Sequence, residues 1–296
     1  MVEFVIGIDG GGSGTRALLA PLRGPVLGQG QAGPSALGQG IHQAWLNIEN
    51  AVLRAFDAAG LPFAGWHVCA AVAALSGVSH RPWRAAFLEA DPGFALLEAE
   101  TDSFAMLMGA HGGRPGAIVA AGTGSIGEVL RPDGQRLTVG GWGFPIGDEG
   151  SGAWLGLQAV RHAQAALDGR AVAGPLARSV WAECGADREA LQGWCARAGQ
   201  FAYAQLAPRV FEYAALDPAA ARLLDEAAAA LQAIADALDP QQLLPIALSG
   251  SIGRLLAPRM TSALRRRLVE PAQGPAEGAL ALARERAAQL EMESTS

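Results

Sequence analysis

The chain has 296 residues, half of them hydrophobic and 17% charged, which is enough for two domains that each bury a core of their own. All 22 basic side chains are arginine. The lack of lysine excludes P-loop NTPases, protein kinases and lysine Schiff-base enzymes, because each of these classes needs a catalytic lysine. The formal net charge of −6 argues against a nucleic-acid partner.

Localisation signals and metal-binding cysteine patterns are missing from the sequence. It has no run of about 18 apolar residues that would predict a membrane span, and no basic segment of a secretory signal precedes the first strand. We therefore expect a soluble, cytoplasmic protein with no membrane partner. The cysteines are Cys69, Cys184 and Cys195; because they form no CxxC pair, they predict neither a disulfide framework nor a zinc site.

A glycine-rich turn follows the first predicted strand. The sequence FVIGIDGGGSGTR places Asp9 at the end of the strand and adds two hydroxyl groups, from Ser13 and Thr15. Glycine lets backbone N–H groups approach an anion closely, so the turn predicts a phosphate-binding loop. Residues 17–20 and 26–30 predict a β-hairpin after it, whereas a helix follows the glycines of Walker and Rossmann motifs.

Two more predicted strands end in small or acidic residues. The strand over 68–75 ends at Ser76, and the strand over 94–100 runs into Asp102 at the start of a helix. Asp102 is a candidate catalytic carboxylate. Thr101 and Asp102 also fit an ordinary helix cap, which is the commoner role for such a pair.

The pattern of strand, glycine turn and hairpin occurs a second time. An apolar strand over 117–121 runs into Thr123 and Gly124, and a Pro-Asp-Gly turn at 132–134 joins the next two strands. The repeat predicts two related lobes that each supply one phosphate loop.

A third glycine cluster lies between a strand and a helix. Its sequence, ALSGSIG, places Gly250 and Ser251 at the turn. We interpret this cluster as a contact for the base or ribose of a nucleotide.

The segment GGWGFPIGDEGSG, over 140–152, is the most unusual of the chain. Ordering so many glycines is costly, which favours a functional loop. Trp142 offers an apolar face to a pyranose ring, and the carboxylates of Asp148 and Glu149 are suited to sugar hydroxyls. The alternative is an acidic first turn of the helix that begins near Ser151.

Helical periodicity accounts for much of the remaining chain. The predicted helices cover residues 42–60, 174–184, 187–198, 200–213, 217–238 and 275–292.

Together these segments resemble the superfamily of sugar kinases, Hsp70 and actin. Within it they are most similar to the N-acetylglucosamine and glucosamine kinases of the BadF/BadG/BcrA/BcrD ATPase family. The segments that carry the resemblance are GIDGGGSGTR (7–16), ALSG (74–77), TDS (101–103), AAGTGS (120–125), GGWGFPIGDEGSG (140–152) and ALSGSIG (247–253).

The resemblance implies an α/β fold of two RNase H-like lobes, as in actin-like ATPases, with a nucleotide and sugar cleft between them. The N-terminal lobe is expected over 1–112 plus 277–296. The C-terminal lobe, with helical insertions, is expected over 113–276.

The resemblance also implies roles for individual residues. Asp9 would hold Mg²⁺ through water, and Asp102 would be the base that takes the proton from the sugar 6-hydroxyl. The implied ATP-binding residues are Gly11, Gly12, Ser13, Thr15, Thr123, Gly124, Gly250 and Ser251. The implied sugar-binding residues are Ser76, Asp102, Trp142, Asp148 and Glu149.

The function expected from this resemblance is ATP-dependent phosphorylation of glucosamine or N-acetylglucosamine. Ile126 stands where mammalian N-acetylglucosamine kinases have an asparagine beside the sugar, so both sugars stay open as substrates. One alternative is the ATPase branch of the family, which activates a partner enzyme through a cluster shared at a dimer interface. A second is a non-catalytic sugar sensor, disfavoured because no DNA-binding segment precedes Glu3. A homodimer stays open as the assembly.

Overall fold

A computed structural model of the chain describes residues 2–294. Met1, Thr295 and Ser296, which the predicted N-terminal lobe includes, lie outside the described residues. The chain folds into two compact units. Unit 1 runs from the N-terminus to Arg114 and resumes at Pro271, and unit 2 is Pro115–Glu270.

The described strands form two five-stranded sheets. In chain order they are β1 (Phe4–Gly10), β2 (Thr15–Pro21), β3 (Gly28–Ala32), β4 (Cys69–Leu75), β5 (Leu96–Glu100), β6 (Gly116–Ala121), β7 (Ser125–Leu130), β8 (Arg136–Gly140), β9 (Ile246–Ser249) and β10 (Leu268–Val269).

The two sheets have the same topology. Unit 1 has the strand order β3-β2-β1-β4-β5, and unit 2 has β8-β7-β6-β9-β10. In each sheet an antiparallel hairpin lies on one side of the central strand and two parallel strands lie on the other. The predicted α/β class and the repeated strand pattern are confirmed.

The helices of the described residues are α1 (Ile41–Ala58), α2 (Arg81–Glu89), α3 (Asp102–His111), α4 (Gly152–Leu167), α5 (Pro175–Cys184), α6 (Arg188–Arg197), α7 (Gln200–Ala204), α8 (Ala207–Tyr213), α9 (Pro218–Leu238), α10 (Ser251–Leu256), α11 (Ser262–Arg265) and α12 (Pro275–Ser294). None of them is both long enough and apolar enough to cross a membrane.

One predicted helix is divided in the structure. The helix expected over 200–213 is two helices, α7 and α8, and α7 ends at Ala204. Pro208 lies in the first turn of α8, where its ring excludes a continuous helix through the carbonyl of Ala204, four residues earlier. The prediction of a single helix there is wrong.

The last helix packs on unit 1, where it covers β1 and lies along α3. The contact is close because glycines line it. A Cβ atom at Gly7 would overlap the backbone of Leu280, and one at Gly278 would overlap the carbonyl oxygen of Ala105. Unit 1 is thus completed by residues from both ends of the chain.

The core of unit 2 lies between its sheet and the helices that connect β8 with β9. Helix α9 packs against β6, β7 and β8, and α4 packs against α5, α7, α8 and α9. Leu155 of α4 and Leu231 of α9 are both fully buried in this core. These helices hold the segment that precedes α4 in place.

Candidate active site

In unit 1, three candidate residues lie at one edge of the sheet. Parallel strands carry their carboxyl ends to the same edge, and β1, β4 and β5 are parallel with Asp9 opposite Ala74. Ser76 follows β4, and its N–H donates to the carbonyl of Gly10 at 2.9 Å. Asp102 follows β5 as the first residue of α3.

The first glycine turn is closed by the hydrogen bond from the Gly11 N–H to the carbonyl of Gly14, at 3.0 Å. Gly12 and Ser13 are exposed at its tip. In the part of the chain that the structure describes, their N–H groups make no hydrogen bond. Two exposed, unpaired backbone donors suit an anion such as a phosphate.

Thr15, predicted to contact the nucleotide, is turned into unit 1. It is 3% exposed, and its Oγ1 lies 2.6 Å from the carbonyl oxygen of Gly33 and 2.7 Å from Ser35 Oγ. These two contacts engage the Thr15 hydroxyl inside unit 1. The Thr15 side chain therefore stabilises the glycine loop by fixing its end to residues 33–35.

Asp9 is surrounded by charge. Burial, the nearby Asp102 carboxyl and, to a smaller extent, Glu277 raise the pKa of Asp9 to about 6. The Arg16 guanidinium partly opposes this rise. Arg16 lies opposite Asp9 on β2 and forms a 2.8 Å ion pair with Glu277 at the start of α12. Sequence reasoning missed Glu277, because only the fold brings α12 beside β1.

Asp102 is not the residue that caps α3. The cap is Thr101, whose Oγ1 accepts the Phe104 N–H at 3.2 Å, while the Ser103 N–H donates to Asp102 Oδ1 at 2.9 Å. Burial raises the pKa of Asp102, and the hydrogen bond from Ser103 opposes that effect. A desolvated carboxylate beside a second one is typical of a catalytic site.

The carboxylate of Asp9 fits a magnesium site completed by a substrate. Mg²⁺ usually keeps several waters and takes one or two carboxylates together with substrate phosphates. No cluster of three or more His, Cys, Asp or Glu side chains suited to a metal occurs among residues 2–294.

In unit 2, the second glycine turn is fastened to the segment that starts α4. The N–H of Gly152 donates to the carbonyl of Gly122 at 2.8 Å, and that of Ala153 donates to Thr123 at 3.1 Å. Ser125 Oγ donates to the carbonyl of Glu149 at 2.8 Å. The motifs AAGTGS and GDEGSG therefore form one structural unit, with the Thr123 side chain exposed.

Asp148 is buried at the centre of this unit. It is 4% exposed and has a φ of 63°, in the left-handed region. Its Oδ1 accepts the Ser125 N–H at 3.2 Å, and its Oδ2 accepts Gln200 Nε2 at 2.7 Å. Burial raises the pKa of Asp148, and these two hydrogen bonds oppose that effect.

Gln200 was missed by sequence reasoning. It follows Asp148 by more than fifty residues and belongs to a helix with no chemical motif, so only the fold reveals the contact.

The loop before Asp148 leaves two apolar side chains in solvent. Trp142 is 78% exposed and Ile146 is 79% exposed, while the Phe144 ring packs 5.1 Å from the ring of Tyr203. Glu149 is exposed beside Asp148. An anchored loop that presents an indole ring and the Glu149 carboxylate is suited to a sugar.

The third glycine turn lies beside the second. Gly250 has a φ of 78°, and a Cβ atom there would overlap the carbonyl oxygen of Ala121, at the end of the neighbouring parallel strand. Ser251 is exposed as the first residue of α10. The position therefore requires glycine for both its backbone conformation and its close packing.

The structure thus groups the predicted residues by unit. Unit 1 gathers Asp9, Gly11, Gly12, Ser13, Ser76 and Asp102 at one sheet edge, and unit 2 gathers Thr123, Gly124, Asp148, Glu149, Gly250 and Ser251 at the corresponding edge. Trp142 lies on the loop that leads into Asp148.

The cysteines are poorly placed for a cluster shared between subunits. Cys69 and Cys184 are buried, and Cys195 is half-buried. A shared cluster needs thiolates at the surface of each subunit. This placement disfavours the ATPase branch of the family, which shares a cluster at a dimer interface.

Paired sheets of this strand order, each with a glycine turn after its central strand, define the fold class of actin-like ATPases and sugar kinases. The chain matches the model of the BadF/BadG/BcrA/BcrD ATPase family over residues 6–283 and belongs to that family.

Relatives within this class are named as amino-sugar kinases. The chain is 32% identical to the glucosamine kinase GspK of Vibrio cholerae over 286 residues, which cover 95% of this chain and 96% of that one. It is also 32% identical to the N-acetylmuramic acid/N-acetylglucosamine kinase of Clostridium acetobutylicum over 175 residues, covering 57% and 56% of the two chains.

A solved structure is more similar still. A Chromobacterium violaceum protein, provisionally named an N-acetylglucosamine kinase, has 47% sequence identity and a TM-score of 0.87. The match covers 95% of this chain and 99% of that one.

Proposed function

We propose that the protein transfers the γ-phosphoryl group of ATP to the 6-hydroxyl of glucosamine or N-acetylglucosamine. Similarity along nearly the whole length of a glucosamine kinase supports the reaction class. The site geometry supports phosphoryl transfer, because unit 1 offers two carboxylates and an anion-binding turn at one edge of its sheet.

The observation that carries the proposal is the placement of Asp102. Its carboxylate lies beside Asp9, is desolvated, and is not the α3 cap. In this proposal Asp102 accepts the proton of the sugar hydroxyl. Phosphoryl transfer builds little charge on the incoming oxygen, so a carboxylate is a sufficient base.

The nucleotide is proposed to lie on the two glycine turns and the third cluster. The N–H groups of Gly12 and Ser13 would bind phosphate oxygens, Thr123 would do so from unit 2, and Gly250 would approach the adenosine. Asp9 would hold Mg²⁺ through water, and the metal would neutralise phosphate charge during transfer. Because ATP is the donor, we place the protein in the cytoplasm.

Ile126 bears on the choice of sugar. Its side chain packs against the backbone of Gly141, where a Cβ atom would lie 2.7 Å from Ile126 Cδ1. An alkyl group here cannot hydrogen-bond an acetamide. We therefore propose glucosamine as the preferred substrate of the two.

The test is a coupled ADP-release assay with Mg·ATP and one of four additions: glucosamine, N-acetylglucosamine, glucose or no sugar. We expect release with an amino sugar, and faster release with glucosamine. Equal release with no sugar would overturn the kinase proposal in favour of the ATPase branch. No release with either amino sugar would also overturn it.

A further inference from the structure

Helix α7 contacts the candidate sugar loop at two places. Gln200 Nε2 donates to Asp148 Oδ2 at 2.7 Å, and the rings of Tyr203 and Phe144 lie 5.1 Å apart. A Cβ atom at Gly156 of α4 would overlap the carbonyl oxygen of Tyr203, so α7 is packed tightly onto α4. The helix is therefore a fixed platform for this loop.

Among the described residues, Gln200 is the side chain that hydrogen-bonds the Asp148 carboxylate. Oδ1 is held by the Ser125 main-chain N–H, and the carboxylate plane lies over Gly124, where a Cβ atom would come within 2.8 Å of Oδ1. Oδ2 is held by Gln200. An ionised carboxylate accepts about four hydrogen bonds, so Asp148 has the capacity to accept two more.

We propose that Gln200 is a positioning residue for sugar binding, which orients the Asp148 carboxylate so that its remaining lone pairs face the acceptor sugar. The inference rests on the proposed kinase function and on Asp148 as a sugar ligand. It assigns a role in sugar affinity to the helices between β8 and β9, which the glycine motifs do not include.

The first test replaces Gln200 by alanine and compares it with Gln205→Ala. Gln205 lies just beyond the same short helix, is exposed, and makes no side-chain hydrogen bond within the described residues. A hydrogen bond to a charged group is worth about tenfold or more in binding, so Q200A should raise the sugar KM by about that factor. The kcat and the KM for ATP should stay within about twofold, and Q205A should match the wild type.

A second variant tests for a pH dependence of the sugar KM that a purely structural role of Gln200 would not produce. Gln200→Glu keeps the shape but places a carboxylate against Asp148, whose charged neighbour in the structure is Glu149. The sugar KM of Q200E should rise with pH as the two facing carboxyls ionise, and more steeply than that of the wild type. A pH profile of the sugar KM that runs parallel in Q200E and the wild type would overturn the proposal. If Q200A does not fold, the pH profile of Q200E still tests the proposal.

A double-mutant cycle asks whether Gln200 acts through Asp148. Asp148→Gly removes the side chain and suits the positive φ of this position. In the D148G background, Q200A should change the sugar KM no further. Independent, multiplicative effects of the two substitutions would overturn the proposal.

Failure of this inference is distinguishable from failure of the kinase proposal. If the wild type releases no ADP with either amino sugar, the kinase proposal falls, and this inference falls with it. If the wild type is active but Q200A and Q205A have the same sugar KM, only the role of Gln200 is overturned. Sugar binding without ATP, followed by tryptophan fluorescence, should show the same tenfold difference between the two variants.

Discussion

At the scale of single residues, the carboxyl group of Asp9 is held where its charge is costly. Its pKa is about 6 in the folded protein against a usual value of 3.8, mainly because of burial and of Asp102. The folded state therefore binds this proton more tightly than the unfolded state does. The free energy of unfolding should fall as pH rises from about 4 to about 6, and the loss should persist at pH 7.

Asp9→Asn removes this cost, so we expect the metal-free variant to be more stable than the wild type at pH 7 by about 1 to 3 kcal/mol. Urea unfolding in EDTA at pH 4 and pH 7 measures the effect, which should be small at pH 4. The exposed Asp57 of α1 supplies the control, Asp57→Asn. A D9N protein that is less stable than the wild type at pH 7 would contradict the placement of Asp9.

Asp102→Asn tests the proposed base. The amide keeps the size of the side chain but cannot accept the proton, so we expect kcat to fall by about 10² to 10⁴-fold. The KM for ATP should change little, because the glycine turns do not depend on Asp102. Steady-state kinetics with saturating amino sugar measure both values, and near-normal turnover would rule out this role.

At the scale of elements, the contact between α12 and α3 leaves no room for a side chain at Gly278. Gly278→Ala would place a methyl group against the Ala105 carbonyl, and we expect a loss of about 1 to 3 kcal/mol in the free energy of unfolding. The matched control is Gly193→Ala in α6, where the nearest atom to the new methyl is an Arg197 nitrogen at 3.5 Å. That variant should gain up to about 1 kcal/mol, since alanine favours helix.

Elements with strong local signals were predictable from sequence, and those decided by distant contacts were not. The glycine turns with their hairpins were predictable because turn residues and strand periodicity coincide there. Helix α2 was missed because it has only nine residues and one buried side chain, Phe87, so its apolar pattern is short. The ion pair of Arg16 with Glu277 and the bond of Gln200 to Asp148 join residues that no local pattern connects.

At the scale of the whole molecule, the chain leaves unit 1 after Arg114 and returns at Pro271. The return is fastened by backbone hydrogen bonds of 2.9 Å from Ala272 to Ala110 and 3.1 Å from Gln273 to Gly109. Unit 1 therefore depends on the last helix for its cover over β1.

Removal of residues 271–296 should unfold unit 1, because Leu280 and the small buried residues around it no longer shield β1. We expect the shortened protein to bind a hydrophobic dye, to release no ADP with any sugar, and to lose hydrogen-exchange protection in β1 while keeping it in β6. Retained cooperative unfolding of β1 would contradict this dependence.

The same dependence sets an order of events on the ribosome. Strand β1 emerges before α12, which follows roughly 13 to 55 seconds later at about 5 to 20 residues per second. Unit 2 is complete in the meantime, so the second half of the chain should fold before the first. Proteolysis of arrested nascent chains should find β1 cleavable until α12 has left the ribosome.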